Sequence, residues 1–418
     1  MRKHAFLILL WAAHCEGNSN GGGGPTSWTL MPQTTLEGFA VYAGEIRATE
    51  RGLLGSFTVR ASAGEEARQH VRLVGVDGKA AYDHAYRADT VSGRLSEVED
   101  GSVFVSEAAE VIDEFFSKVR IRRMALADGA LQDDEMMPEP MLNLPLAEAI
   151  HRGTDGRLWC LGVNSDLALM LYGLGKNAPV TKIPIAARTS VDLRSRIVGL
   201  RDGFAVVTSS ADVEARFGVP ASRKGAEQVA VLSFDASGNF VEAQTTGFDA
   251  RAALGAVRVD GTRIAITGSV EHTLNDNSLF VRSWTLAQGA RLVREAESTF
   301  DLGTEQVRIS ALDVAPDGRW IAGGEVGTRQ AETGSILQGS RAFMATLSAA
   351  PAFTLQGYAT FGTPERRNAI AAFARAPDGG GQEYAFVHHD FPKTHDADGR
   401  PDQAYSRTEL YQLQVWSQ

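Results

Sequence analysis

One dipeptide returns along this chain and limits what it can fold into. Asp-Gly, preceded by a short mixed stretch and followed by an apolar one, occurs at Asp100-Gly101 (GSVFVS), Asp155-Gly156 (GRLWCLG) and Asp202-Gly203 (GFAVVTS). It occurs again at Asp260-Gly261 (GTRIAITG), Asp317-Gly318 (GRWIAGG) and Asp378-Gly379 (GGGQEYAFV), with Glu37-Gly38 (GFAVYAG) as a degenerate first copy. Successive glycines lie 47 to 63 residues apart. Asp-Gly between two extended runs favours a type I′ hairpin turn, because Gly takes positive φ without steric cost and Asp tolerates it.

Each copy also carries a second hairpin after a variable connection. His70–Tyr86, Lys118–Met136, Gln228–Ala243, Ser278–Glu297 and Arg341–Ala359 all read as strand, tight turn, strand. Leu167–Ile183 is a less regular version, and the last copy ends the chain as ELYQLQVWSQ. Four strands per unit at a period of roughly 50–60 residues is the pattern of a β-propeller blade. The expectation is therefore an all-β fold: a single β-propeller over residues 27–418, with seven blades of four antiparallel strands. A β-sandwich or a pair of small barrels would explain short strands but not one grammar repeated along the chain. The best helical candidate is Glu107–Val119, with Val111, Ile112, Phe115 and Phe116 apolar. Ser27–Thr34 is either the innermost strand of the first blade or the outermost strand of the last.

VAPDGRWIAGG (314–324) and ARAPDGG (374–380) resemble the repeats of TolB-like bacterial propellers. The second hairpins are similar to those of secreted propellers of the SBBP kind. The resemblance implies this fold and export, and it brings no catalytic residues with it.

The chain opens MRKHAFLILLWAAHC, a basic start followed by the apolar run Ala5–Ala13. A run this short does not span a bilayer, which takes ~20 residues, but it suits the apolar core of a signal peptide. A buried first strand is the alternative. Cys15 refines the reading, because the segment resembles a bacterial lipoprotein signal in which the new N-terminal cysteine is acylated. Ala12 and Ala13 suit that pattern, and His14 departs from it. The organisation expected is a signal peptide at 1–14, a Gly-rich tether at 15–26 beginning with lipidated Cys15, and the propeller beyond. Several acyl chains, each methylene worth ~0.8 kcal/mol when buried, would hold such a protein in the bacterial envelope.

Charge narrows the partners. With 51 acidic and 41 basic residues the formal charge is −10, which excludes the basic face that nucleic-acid binding needs. Two cysteines make no disulfide framework, and Cys160 in GRLWCLGV reads as a small core residue. The expected partner of a monomer is a protein, a polysaccharide or a small molecule, with membrane contact through the lipid alone.

Four long connections were expected on one face, between second and third strands: Gly44–Glu66, Ser209–Glu227, Glu325–Ser340 and His388–Thr408. Binding residues concentrate on such loops. The last contains HHDFPKTHDADGRPD, where Asp396, Asp398 and Asp402 partly resemble a calcium loop and His388 and His395 add nitrogen donors. The third closely spaced acid of a calcium loop is missing, and a solvated turn is the competing reading. No cofactor is expected apart from that candidate calcium, and no catalytic residue is assigned. Gly17–Gly21 lacks the strand and helix that a nucleophile elbow requires, and YGLGKN (172–177) lacks the rest of a phosphate loop. Gln132–Pro140 reads as a solvated acidic connection, and Tyr82–Tyr86 as an outer strand. The leading functional reading is a non-catalytic binding or scaffold protein of the bacterial envelope. The alternative is an envelope hydrolase or lyase acting at the mouth of the central channel.

Expressed in a bacterium with radiolabelled palmitate, the wild-type chain should incorporate label and Cys15→Ser should not. Equal labelling of the two removes the lipid anchor.

Overall fold

The computed structural model describes the backbone of residues 29–414, apart from Phe39 and several connecting segments, the longest being 61–67, 87–94, 143–148, 188–194, 328–339 and 376–382. Among the described residues there are seven antiparallel sheets. The first strand, β1 (Thr29–Gly38), belongs to the last of them. Unit one holds β2 (Ala40–Thr49), β3 (Gly52–Arg60), β4 (Arg68–Val74) and β5 (Ala80–Tyr86). Unit two holds β6 (Ser102–Val111), β7 (Phe116–Ala125), β8 (Leu131–Met136) and β9 (Met141–Leu142). Unit three holds β10 (Ala149–Arg152), β11 (Leu158–Val163), β12 (Leu169–Leu174) and β13 (Thr181–Ala186).

Unit four holds β14 (Arg196–Leu200), β15 (Gly203–Ser209), β16 (Val229–Asp235) and β17 (Phe240–Thr245). Unit five holds β18 (Arg251–Asp260), β19 (Arg263–Thr273), β20 (Asp276–Ala287) and β21 (Arg291–Phe300). Unit six holds β22 (Gln306–Val314), β23 (Trp320–Gly327), β24 (Arg341–Leu347) and β25 (Leu355–Phe361). Unit seven holds β26 (Arg367–Arg375), β27 (Glu383–His395) and β28 (Pro401–Gln414), with β1 on its outer edge. The first strands touch in succession, β10 with β14, β14 with β18, β18 with β22, β22 with β26 and β26 with β2, so they surround the centre of a propeller.

The expected seven four-stranded blades become six. Unit two departs from the order of the others: β6, β7 and β8 form its path, and β9 pairs with β7 off that path. Among the described residues the inner position holds one bridge, Leu95 to Val105, and the Ser96 N–H donates to Phe104 O at 3.0 Å. The Ser96 hydroxyl accepts from the Phe104 N–H, taking the position of a ladder carbonyl. Carbonyls of Leu95 and Ser96 accept from the Arg47 guanidinium of unit one, at 2.9 and 3.1 Å. Side-chain bonds thus supplement a backbone pairing that is short among the described residues.

The middle strands explain why sheets stack into a ring. LWCLGV of β11, GFAVVTS of β15 and VAVLSFD of β16 are buried along almost their whole length, on both faces. Outer strands such as β21 alternate buried with exposed residues instead. A strand covered on both faces reads as a continuous apolar run. Side chains from adjacent units fill each gap: Trp159, Leu161 and Leu171 of unit three meet Phe204, Val206 and Leu232 of unit four. Ile266, Phe280 and Trp284 of unit five meet Val207 and Val231 of unit four. Each such side chain contributes about 1.5–3 kcal/mol on burial. Cys160 lies buried in this interior, as expected, outside any disulfide.

Two smaller devices join neighbouring units. One is a clamp at or just before the start of the third strand, made by a backbone carbonyl or a side-chain amide. Glu227 O accepts from Ala252 N (2.9 Å), Asn277 Oδ1 from Val307 N (2.6 Å), and Ser340 O from Asn368 N (3.1 Å). The other is a bulge in the inner strands β2, β18, β22 and β26. The extra residue is small where the next unit closes on it. A Cβ on Gly255 would meet Ile309, and the Ser310 hydroxyl donates to Ile370 O.

Several expectations change here. Glu37-Gly38 is not a turn, because it lies inside β1, paired with Arg407 and Ser406 of β28. The first hairpin of unit one turns between Thr49 and Gly52 instead. The helical candidate 107–119 is a β-hairpin whose turn is closed by Asp113 Oδ1 accepting from the N–H groups of Phe115 and Phe116. Its apolar residues Val111, Ile112 and Phe115 stand exposed, so no helical face is being buried. The acidic run 132–140 contributes β8, and Met137 beside it is buried. Asp100 and Gly101 do take positive φ, 48° and 64°, as a type I′ turn requires.

A methyl group added at Gly268 or Gly324 would fall on the backbone carbonyl of Ala253 or Arg308. Gly268→Ala and Gly324→Ala should each lower stability by about 1–3 kcal/mol in urea unfolding. Gly175→Ala, whose new Cβ would have only ordinary contact with Ala178, should be neutral in the same assay.

Candidate functional site

Inner strands all begin on one face of the ring, together with the connections between second and third strands. On this loop face, one of the four expected long connections, Ser209–Glu227 in unit four, keeps that character, and most of Glu325–Ser340 in unit six lies outside the described residues. The other two do not. Residues 44–60 are mostly β2 and β3, and 388–408 is mostly the β27–β28 hairpin. Alternation of apolar and polar residues was weak in both, so the strands were not legible.

That hairpin outgrows its sheet. β26 pairs with β27 only over Glu383–Asp390, and β1 pairs with β28 only over Ser406–Gln414. Phe391–His395 and Pro401–Tyr405 pair with each other alone, as a two-stranded ribbon beyond the sheet. Five residues at ~3.4 Å each make it about 17 Å long. The metal candidates are distributed along this hairpin. His388 is paired with Thr408 and Ala369, while His395 is paired with Pro401 at the ribbon end. Seven positions separate the two histidines, about 23 Å along a strand. Asp402 lies next to Pro401 in β28. Asp396 and Asp398 lie outside the described residues, as does Cys15. Among the described residues no group of three metal-ligating side chains comes together.

A feature that the sequence reading missed is a series of cross-strand Arg–acid pairs at the loop-face end of the inner strands. Arg251 is paired in register with Glu271, Arg308 with Glu325, and Arg367 with Asp390, in units five, six and seven. Arg251 Nη1 reaches Glu271 at 2.9 Å, and its Nε reaches Glu227 Oε2 at 2.9 Å. Hydrogen bonds donated to these two carboxylates raise the Arg251 pKa above its ordinary value, against the opposing effect of burial. Glu325 is buried at 2% exposure, 3.6 Å from Arg308, and accepts from the Ser340 hydroxyl at 3.3 Å. The signal was present as an Arg early in one strand and an acid late in the next, but register is needed to see it.

Two concavities lie away from this face. One, of about 260 Å³, sits between units three and four beside Phe217, Phe234 and Phe240. The larger, about 410 Å³, lies between units four and five on the opposite face, where hairpin turns cluster.

No family model and no curated protein matches the chain. The resemblance to TolB-like and SBBP-type repeats therefore stands on the repeat residues alone. Among solved structures it is similar to a neuraminidase-like protein of A/little yellow-shouldered bat/Guatemala, at 10% identity and a TM-score of 0.41, covering 78% of this chain and 97% of that one. It is also similar to the α-L-arabinofuranosidase of Lactobacillus brevis, at 10% identity and 0.34, covering 65% and 91%. Puromycin hydrolase gives 14% identity and 0.37, covering 74% and 53%.

Outer strand β5 carries a charge cluster of a different kind. Burial raises the Asp83 pKa, but hydrogen bonds from His70 (3.0 Å) and Arg72 (2.5 Å), and their charges, outweigh it and hold the carboxyl at about 2. Its folded pKa lies below the unfolded value, so its contribution to stability is complete above about pH 4 and lost as pH falls towards 2. Asp83→Asn should be less stable than wild type in urea at pH 5, and the difference should shrink towards zero at about pH 2.

Proposed function

We propose that this protein is a non-catalytic propeller, exported and held in the bacterial envelope by lipid on Cys15, that binds its partner through the loop face. The partner is a protein, a polysaccharide or a small molecule. The observation that carries this reading is the bonding of Arg251 to Glu227 and Glu271. An acid–base pair of carboxylates needs one of them protonated near neutral pH. Here both carboxylates are instead bonded to one guanidinium. What the loop face offers instead is reach: connection 210–228 and the ribbon of 391–395 with 401–405, on a frame tied together by inter-unit clamps. Support for export comes from the residue pattern of 1–26 alone.

The alternative is an envelope hydrolase or lyase working at the channel mouth. Both readings meet in one experiment, with purified sacculi and outer-membrane vesicles as probes for the full chain. Sedimentation should retain the protein on one of them without release of soluble fragments. A variant with 391–405 replaced by Asn-Gly should be retained at least tenfold less. Fragment release that disappears in Glu227→Gln or Glu271→Gln would overturn the binding reading and establish the enzyme.

A further inference from the structure

The larger of these two concavities does not lie on the loop face. Its wall is built from three tight turns of units four and five: Arg201 and Asp202 between β14 and β15, Thr262 between β18 and β19, and Ala290 just before β21. Leu200 and Leu286 complete an apolar floor, and the volume is about 410 Å³. Small-molecule sites have volumes of roughly 300–1,000 Å³, mostly apolar with a few convergent polar groups.

Two features separate this hollow from an ordinary gap between blades. Ala290 is fully buried at a φ of +59°, directly after Gly289 at +77°. A non-glycine residue in that conformation costs of order 1–3 kcal/mol and persists where the surroundings hold it, commonly at ligand sites. Here it places a methyl-bearing residue in the cavity wall. The second feature is charge. Arg201 and Asp202 bring one cation and one anion to the same wall, and among the described residues neither is in an ion pair. Thr262 adds a hydroxyl, while its backbone carbonyl is already taken by Leu286 N at 2.9 Å.

The geometry points to a binding site for a small zwitterion with an apolar body, of the class of a free α-amino acid with an aliphatic side chain. A carboxylate would pair with Arg201, an ammonium with Asp202, and the side chain would lie on Leu200, Leu286 and Ala290. A simple anion would meet repulsion from Asp202 and a simple cation from Arg201, so only a ligand carrying both charges uses both groups. The site is on the turn face and is independent of the loop-face reading.

Titration calorimetry on the full chain with L-leucine tests it. L-leucine should bind saturably, whereas leucine methyl ester and N-acetyl-leucine, each lacking one charge, should bind at least tenfold more weakly. Arg201→Gln and Asp202→Asn should each weaken leucine binding at least tenfold while leaving the urea midpoint unchanged. Asn keeps the turn preference of Asp, so the second variant tests charge without removing the hairpin. Absence of saturable leucine binding up to about 10 mM would overturn the proposal. So would equal binding of leucine and its two derivatives, or unaltered binding in both variants.

Discussion

A sheet with two apolar faces cannot stand in water, and almost everything in this molecule follows from how those faces are covered. Strands β11, β15 and β16 are buried along both sides, so each unit needs a neighbour on its left and another on its right. A row of such units would leave two uncovered ends. Bending the row into a ring removes them, and β26 against β2 brings the first and last units together. The ring is then fastened by β1, which leaves its neighbour β2 and pairs along the outer edge of β28. An exposed edge strand is an invitation to pair with other chains, and this arrangement covers that edge of the last sheet.

Packing between units also sets the finer geometry. Bulges in β2, β18, β22 and β26 occur where inner strands crowd each other, and Gly255 and Ser310 are small where Ile309 and Ile370 approach. The same crowding brings inner-strand arginines opposite second-strand acids in three successive units. In units five and six those charges are bound to each other, so they build the loop-face end of the ring. On the other face Arg201 and Asp202 project from a two-residue turn, and among the described residues neither is in an ion pair.

Much of the fold was legible because the turn chemistry is local. Asp-Gly places positive φ at residues 100 and 101, and the second hairpins at His70–Tyr86, Gln228–Ala243 and Ser278–Glu297 appear as read. Errors arose where a local signal had a competing meaning. Val111, Ile112, Phe115 and Phe116 have helical spacing, but Asp113 closes a turn between them. Glu37-Gly38 looks like a turn but lies in a strand whose partner is some 370 residues away. Unit two has the sequence length of a blade, yet Ser96 and Arg47 add side-chain bonds to a backbone pairing that is short among the described residues.

By itself the sequence determined the repeating hairpins, the all-β class, the acidic character and the burial of Cys160, since each depends on residue type and near neighbours. Only the tertiary structure decided the number of complete blades, the strand that fastens the ring, and the Arg–acid pairs at its loop-face end. It also decided that a hollow of about 410 Å³ lies among the short turns rather than the long loops. These features depend on strand register or join residues from separate repeats, and their spacing is set by how strands and units pack, which residue type alone does not encode.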